Sequence, residues 1–230
     1  MPKWKSDYDV FVSEIEPALC AVTTQWEMAH GRKQLHAYIL RLPNENLLFH
    51  GPDRVAVYKH FADEFNGISR HILSHHADAS PACQYVANTL GAKPYVHIDD
   101  AVNTAKRAKI PVDGNFLDEH QVADGLKAIP LPGHSSGFTV YIWQGSRGRY
   151  LFGGDIIFTD PKGWTAFFDH KPYEVGLNSL KRLRDLDVDY LLLNESLGDV
   201  VPPVPFARGQ REQAVSEAID RVCQKYKLKS

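Results

Sequence analysis

The sequence predicts an α/β (α+β) fold in which two mixed β-sheets pack face to face and helices cover both outer faces. Three observations carry this. The β runs fall into two groups, and each group is followed by helices. Each helical segment has a single apolar face, so it covers a sheet rather than joining a bundle. Between residues 70 and 98 a strand, a helix and a strand follow so closely that they imply a parallel βαβ unit. The chain has 230 residues, which suits one large domain, and a single domain over residues 1–230 is expected.

The elements follow in order. The first half-dozen residues are expected to be loose. Segments near Asp9–Val12 and Leu19–Thr24 read as β. Leu35–His50 reads as a hairpin turning at Pro43-Asn44-Glu45-Asn46. From Asp53, Val57, Phe61 and Phe65 recur every fourth residue, which predicts a helix ended by Gly67. Arg70–Ser74 is a short β run. Ser80 and Pro81 suit a helix N-cap and first position, and Ala82, Tyr85, Val86, Thr89 and Leu90 make a stripe closed by Gly91. Pro94–Ile98 returns to β, and Asp99–Arg107 is a further short helix.

The second group of strands comprises Gly125–Leu131, Gly137–Gln144 and Arg149–Phe152, the last two joined by a turn at Gly145-Ser146-Arg147-Gly148. Tyr173–Leu186 carries Leu177, Leu180, Leu183 and Leu186 at helical spacing. Tyr190–Leu193 is a short, fully apolar strand. Pro202, Pro203 and Pro205 stiffen a loop before a long amphipathic helix, Ala207–Lys227, with Val215, Ile219, Val222 and Tyr226 facing inward.

Composition narrows the function classes. The chain is 43% hydrophobic and 23% charged, with a net charge of −2. No basic excess exists to neutralise a phosphate backbone, so nucleic acid is not an expected partner. Lys181, Arg182 and Arg184 read as the wet face of a helix. No run approaches the roughly 18 apolar residues of a membrane span, and MPKWKSDYDV lacks the apolar core of a signal peptide. Cys20, Cys83 and Cys223 form no C-x-x-C pair, which suits a reducing compartment. A cytoplasmic protein acting on a small-molecule substrate is expected. Against two methionines stand eleven histidines, and histidine is the commonest metal ligand.

Three constellations offer ligand atoms at strand ends, where α/β folds bind ligands. Ser74-His75-His76-Ala77-Asp78 follows the Arg70–Ser74 strand. Pro132-Gly133-His134-Ser135-Ser136-Gly137 places a histidine between glycines that let backbone come close. Phe152-Gly153-Gly154-Asp155 ends a strand in a carboxylate. Loops that each supply His or Asp suit a divalent cation.

In this order the motifs resemble those of the metallo-β-lactamase superfamily, over roughly Leu35 to Leu193. The resemblance implies a four-layer αββα sandwich and one or two zinc, iron or manganese ions, zinc foremost. Pro132–Gly137 is similar to the family's P-G-H-T-x-G, which makes His134 a ligand. Leu151–Asp155 is similar to the strand that carries the bridging aspartate, which makes Asp155 a ligand. The first motif departs from the family's. In one register His76 and Asp78 match a histidine and the aspartate. In another His75 takes the first histidine's place. A third, T-H-R-D-D-like register keeps His75 and Asp78. His75 and His76 both stay open as ligands, with Asp78 beside them. Two more departures stand out. His50-Gly51-Pro52 occupies the place of a structural aspartate, and Leu193-Asn194-Glu195-Ser196 occupies that of the last histidine. A full binuclear site has about six or seven ligands by this resemblance, whereas three or four suffice for one catalytic metal.

The expected function is therefore a metal-dependent hydrolase with a mononuclear or atypical site. It would activate water on an ester, thioester, lactone or phosphodiester, with Asp78 or Asp155 orienting the water or taking its proton. Trp164, Phe167 and Phe168 are candidates to roof a pocket, or else core residues. Two alternatives belong to other classes. In one, the fold is kept as a scaffold or binding protein without catalysis. Gly133-His134-Ser135-Ser136-Gly137 also spells the G-x-S-x-G of serine hydrolases, with Ser135 as nucleophile and His170 and Asp155 or Asp187 as partners. That motif requires a helix after the turn, but Phe138–Trp143 is strongly β.

Overall fold

The computed structural model describes residues 9–28, 31–51, 67–197 and 200–229. The loose start and the helix expected over Asp53–Phe65 lie outside these residues.

The first sheet opens with four strands in antiparallel series: β1 (Asp9–Glu16), β2 (Leu19–Met28), β3 (Gly31–Arg41) and β4 (Asn46–Phe49). It continues in parallel through β5 (Arg70–Ile72), β6 (Pro94–His97) and β7 (Gly114–Phe116). The parallel step from β5 to β6 is bridged by helix α1 (Ala82–Leu90), so the expected βαβ unit is present. Helix α2 (Ile98–Ala108) follows β6 directly.

The second sheet contains β8 (His120–Ala123), β9 (Leu126–Pro130), β10 (Thr139–Gln144), β11 (Arg149–Gly154), β14 (Tyr190–Leu193) and β16 (Val204–Pro205). A small ribbon, β12 (Phe158–Asp160) and β13 (Gly163–Thr165), stands beside it. Helices α3 (Tyr173–Asp185) and α4 (Arg208–Tyr226) pack on this half. After β14 the chain changes sheets: β15 (Glu195–Leu197) pairs antiparallel with β3.

Strand periodicity produces the layers. On β3, Tyr38 and Leu40 enter the core between the sheets, while Ala37 and Ile39 face Val86 of α1. On β11, Tyr150 and Phe152 face the inter-sheet core, and Leu151 faces α3 and α4. The two sheets meet at a stack of Phe49 on Phe152, with ring centroids 3.8 Å apart. The layers are therefore helix, sheet, sheet, helix.

Helix α1 corrects one expectation. Cys83 and Val86 are its buried residues, while Tyr85 is 51% exposed. A tyrosine hydroxyl at the helix surface keeps its water, so the inner face runs along the i, i+3 row instead. The helix also starts one residue later than expected, at Ala82 with Pro81 as its N-cap, and Ser80 Oγ accepts from the Ala82 backbone N–H at 3.2 Å from just outside it. On α3, Leu177, Leu180 and Leu183 are buried and Leu186 lies just past the helix end. No described helix is long and apolar enough to cross a membrane.

Candidate metal centre

Strands β9 and β11 both run antiparallel to β10, and β14 runs parallel to β11, so the carboxyl ends of all three lie on one edge of their sheet. The loops leaving that edge carry His134, Asp155 and Asn194. The loop after β5 brings His75 to the same place from the other sheet. The Thr139 N–H donates to the Ser74 carbonyl at 2.9 Å and fixes this meeting.

His75, His134 and Asp155 each offer one ligand atom, and these three atoms lie within 4.8 Å of one another. Asp155 Oδ2 is 3.6 Å from His75 Nε2 and 3.7 Å from His134 Nε2. His75 is buried, whereas the side chains of His134 and Asp155 keep 17% and 27% of their exposure. The cluster is thus closed from behind and open on one side.

The far nitrogen of each ring faces an oxygen. His134 Nδ1 donates to the Phe167 carbonyl at 3.1 Å, which leaves Nε2 facing Asp155. His75 Nδ1 lies 3.3 Å from Asp78 Oδ2. The His134 loop is held against α3. Gly133 has φ 148, where a side chain would be strained and a Cβ would overlap the Cα of Gly176. Ser179 Oγ donates to the Pro132 carbonyl at 2.6 Å.

Asp78 is not in this cluster. Its Oδ2 accepts from the Ser74 N–H at 2.9 Å, the His75 N–H at 3.3 Å and His50 Nδ1 at 3.2 Å. Its Oδ1 accepts from Asn194 Nδ2 at 3.2 Å. Both oxygens are therefore committed to holding the loop. The same Asn194 nitrogen lies 3.4 Å from Asp155 Oδ1 and joins the two acids. His76 turns away, with Nδ1 2.9 Å from Asp100 Oδ1.

Charge follows this arrangement. Burial pulls His75 down, but Asp78, then Asp155 and Asp100, outweigh it and push its pKa up to about 9. Burial raises Asp78, and the neighbouring His75 and His50 outweigh that and hold it well below the usual carboxylate range. Burial, reinforced by the charge of His75, lowers His134.

A family model described as the metallo-beta-lactamase superfamily matches residues 76–193, just over half of the chain. The chain belongs to the metallo-β-lactamase superfamily. Members of this superfamily typically bind divalent metals. Solved metallo-β-lactamases share the fold. The FIM-1 metallo-β-lactamase from Pseudomonas aeruginosa, in its mono-zinc form, is 16% identical with a TM-score of 0.67, over 93% of this chain and 97% of that one. The enzyme from Pontibacter korlensis is 15% identical with a TM-score of 0.69, over 92% and 98%. That from Cronobacter sakazakii with a HARLDQ motif is 16% identical with a TM-score of 0.67, over 94% and 96%. No curated protein matches the chain.

Two further groups of a type that binds metal, His97 and Glu195, are engaged elsewhere. His97 Nε2 donates to the Leu117 carbonyl at 2.7 Å, and its Nδ1 caps α2 by accepting from the Asp99 N–H. Glu195 points away from the cluster to Lys33, 2.8 Å distant. Of the three aromatics after Asp155, Phe168 is core and Trp164 packs against the core. Phe167 is 39% exposed, with its ring centroid 5.8 Å from that of His134.

The serine-hydrolase motif meets neither of its requirements. The Ser135 hydroxyl donates to Asp100 Oδ2 at 2.5 Å rather than to a histidine, and β10 follows the turn where a helix is required. Two participants escaped the sequence reading. Asp100 was legible only as an acid in a helix's first turn. Asn194 was seen as a departure from the family pattern, but not as the bond between two carboxylates.

Proposed function

We propose that the chain is a metal-dependent hydrolase whose single ion, zinc foremost, is held by His75, His134 and Asp155. The carrying observation is the convergence of two imidazole nitrogens and one carboxylate oxygen from three separate loops. The 3.6 and 3.7 Å separations are too long for hydrogen bonds. They approach the roughly 3.3–3.4 Å edge of a tetrahedron with metal–ligand bonds of about 2.0–2.1 Å. Two histidines and a carboxylate, with one side open, also form a common catalytic zinc set.

A divalent ion there supplies Lewis acidity, acidifying water and polarising the carbonyl or phosphoryl oxygen of the bond to be cleaved. The chain's own groups do the rest. His134 is fixed in one tautomer by the Phe167 carbonyl, so its Nε2 is free to ligate. Asn194 holds one Asp155 oxygen and leaves the other toward the histidines. Asp155, the more open of the two acids, stands on the exposed side of the cluster, where it would orient water. Asp78, closed in by donors, positions the loop of His75. The exposed ring of Phe167 forms an apolar wall for a small-molecule ester, thioester, lactone or phosphodiester.

A second reading, a binding fold without catalysis, draws on Asn194, which ties together two acids that could otherwise take metal. Elemental analysis of protein purified without chelator separates the two readings. About one zinc, iron or manganese per chain, lost in both His134→Ala and Asp155→Ala, is the expected result. No uptake of any of these ions, or uptake unchanged in both variants, refutes the metal site.

A further inference from the structure

Two of the three clustered residues have a neighbour in sequence that reaches the same buried side chain. His76, next to His75, places Nδ1 2.9 Å from Asp100 Oδ1. Ser135, next to His134, donates its hydroxyl to Asp100 Oδ2 at 2.5 Å. Asp100 is 1% exposed and sits in the first turn of α2, where the helix dipole favours a negative charge. One carboxylate thus binds both loops, one oxygen to each.

The surroundings keep that carboxylate in place. At Gly137, a Cβ would stand 2.9 Å from His97 Nδ1, 3.0 Å from the Asp100 nitrogen and 3.1 Å from its Cγ, so the loop reaches the helix start only because this residue has no side chain. Arg107, on the same helix, donates from Nε to the Ala79 carbonyl at 3.0 Å and steadies the end of the His75 loop. Helix, first loop and second loop form one rigid joint.

We infer that Asp100 is a positioning residue that sets the distance between His75 and His134, and so the affinity and geometry of the metal site; this rests on the metal-site reading above. His75 and His134 reach the cluster from different sheets, and their rings stand with centroids 4.6 Å apart. Asp78 and the Phe167 carbonyl orient each ring separately, but neither links one loop to the other. The Thr139–Ser74 backbone bond joins the two loops at their bases, and Asp100 adds the side-chain link at the residues next to the two histidines. A carboxylate suits the task because it offers two separate acceptor oxygens and no donor, whereas an amide or a hydroxyl has a single oxygen.

The test uses the full chain, purified metal-free, with Co2+ as the probe. Wild type, Asp100→Ala, Ser135→Ala and the double variant are compared by affinity, in competition with a chelating dye, and by the visible absorption of bound Co2+. Circular dichroism and thermal unfolding in chelator confirm that each variant folds. Asp100→Ala is expected to weaken Co2+ about 10–100-fold, the usual cost of losing a ligand's support, and to alter the absorption spectrum. Ser135→Ala alone gives a smaller loss. The double variant binds no more weakly than Asp100→Ala, because the hydroxyl has already lost its acceptor. If Asp100→Ala does not fold, Ser135→Ala and His76→Gln carry the test, each with weaker binding and an altered spectrum. Variants that match wild type in affinity and spectrum, or losses that simply add, overturn the clamp while leaving the metal site intact. A wild type that takes up no Co2+ overturns the metal site and the clamp together.

Discussion

At the scale of the residue, Asn194 and His71 show how buried polar groups are managed. One Asn194 nitrogen serves both Asp78 and Asp155. Asn194→Asp keeps the shape but replaces a donor with an acceptor beside two acids. We expect a loss of about 1–3 kcal/mol in metal-free urea unfolding, and unchanged stability would show that no donor is needed there. His71 is fully buried, donates Nε2–H to the His50 carbonyl at 2.8 Å and has, among the described residues, no hydrogen-bond partner on Nδ1. Burial lowers its pKa from 6.5 to about 4. Above pH 6.5 the residue is neutral in folded and unfolded chains alike, so its contribution is complete. As pH falls from there toward 4, only the unfolded chain takes up the proton, and stability declines by up to about 3 kcal/mol. His71→Gln, which keeps a donor for the carbonyl, should flatten that part of the stability–pH curve, and an unaltered slope would assign the acid sensitivity elsewhere.

The elements show where local pattern is enough and where it is not. The β10–β11 hairpin, α3, α4 and β14 were legible because each has a clear apolar period or a turn at its end. Strands β7, β8, β12, β13, β15 and β16 were not. They have two to four residues, too few to show a period, and β15 in addition pairs with a strand far away in the chain, β3. The same limit held at the site. The sequence singled out His75, His76, Asp78, His134 and Asp155, but the ring of His76 is directed by Asp100 and that of His134 by the Phe167 carbonyl, which lie 24 and 33 residues further on. Helix faces can be checked directly. Leu180→Ala on α3 should cost about 2–5 kcal/mol, and Tyr85→Ser on α1 about 0.5 kcal/mol or less, by urea unfolding. Comparable losses at both would contradict the α1 face described above.

For the whole molecule, the seam between the sheets is where stability and site meet. Phe152→Ala removes a ring stacked on Phe49 and should cost about 3–5 kcal/mol. An ion at the proposed site would add stability in turn. At one hundred times its dissociation constant it contributes about 2.7 kcal/mol, roughly 5–11 °C in melting temperature for a chain of this size. Scanning calorimetry with and without chelator measures this, and His134→Ala should abolish the difference. Equal shifts in both proteins would locate the ion elsewhere.

The passage of the chain from β14 in one sheet to β15 in the other has a consequence for how the protein is made. The Asn194 carbonyl accepts from the His36 N–H at 2.8 Å, and β15 then pairs with a strand near the other end of the sequence. During synthesis His75 emerges first, and at roughly 5–20 residues per second it waits several seconds for Asp155 and longer for Asn194. A nascent chain therefore holds its early histidines without the acid that would complete their cluster. An ion at the proposed site would be taken up by the finished polypeptide, and a ribosome-bound fragment ending before Asp155 should emerge without it.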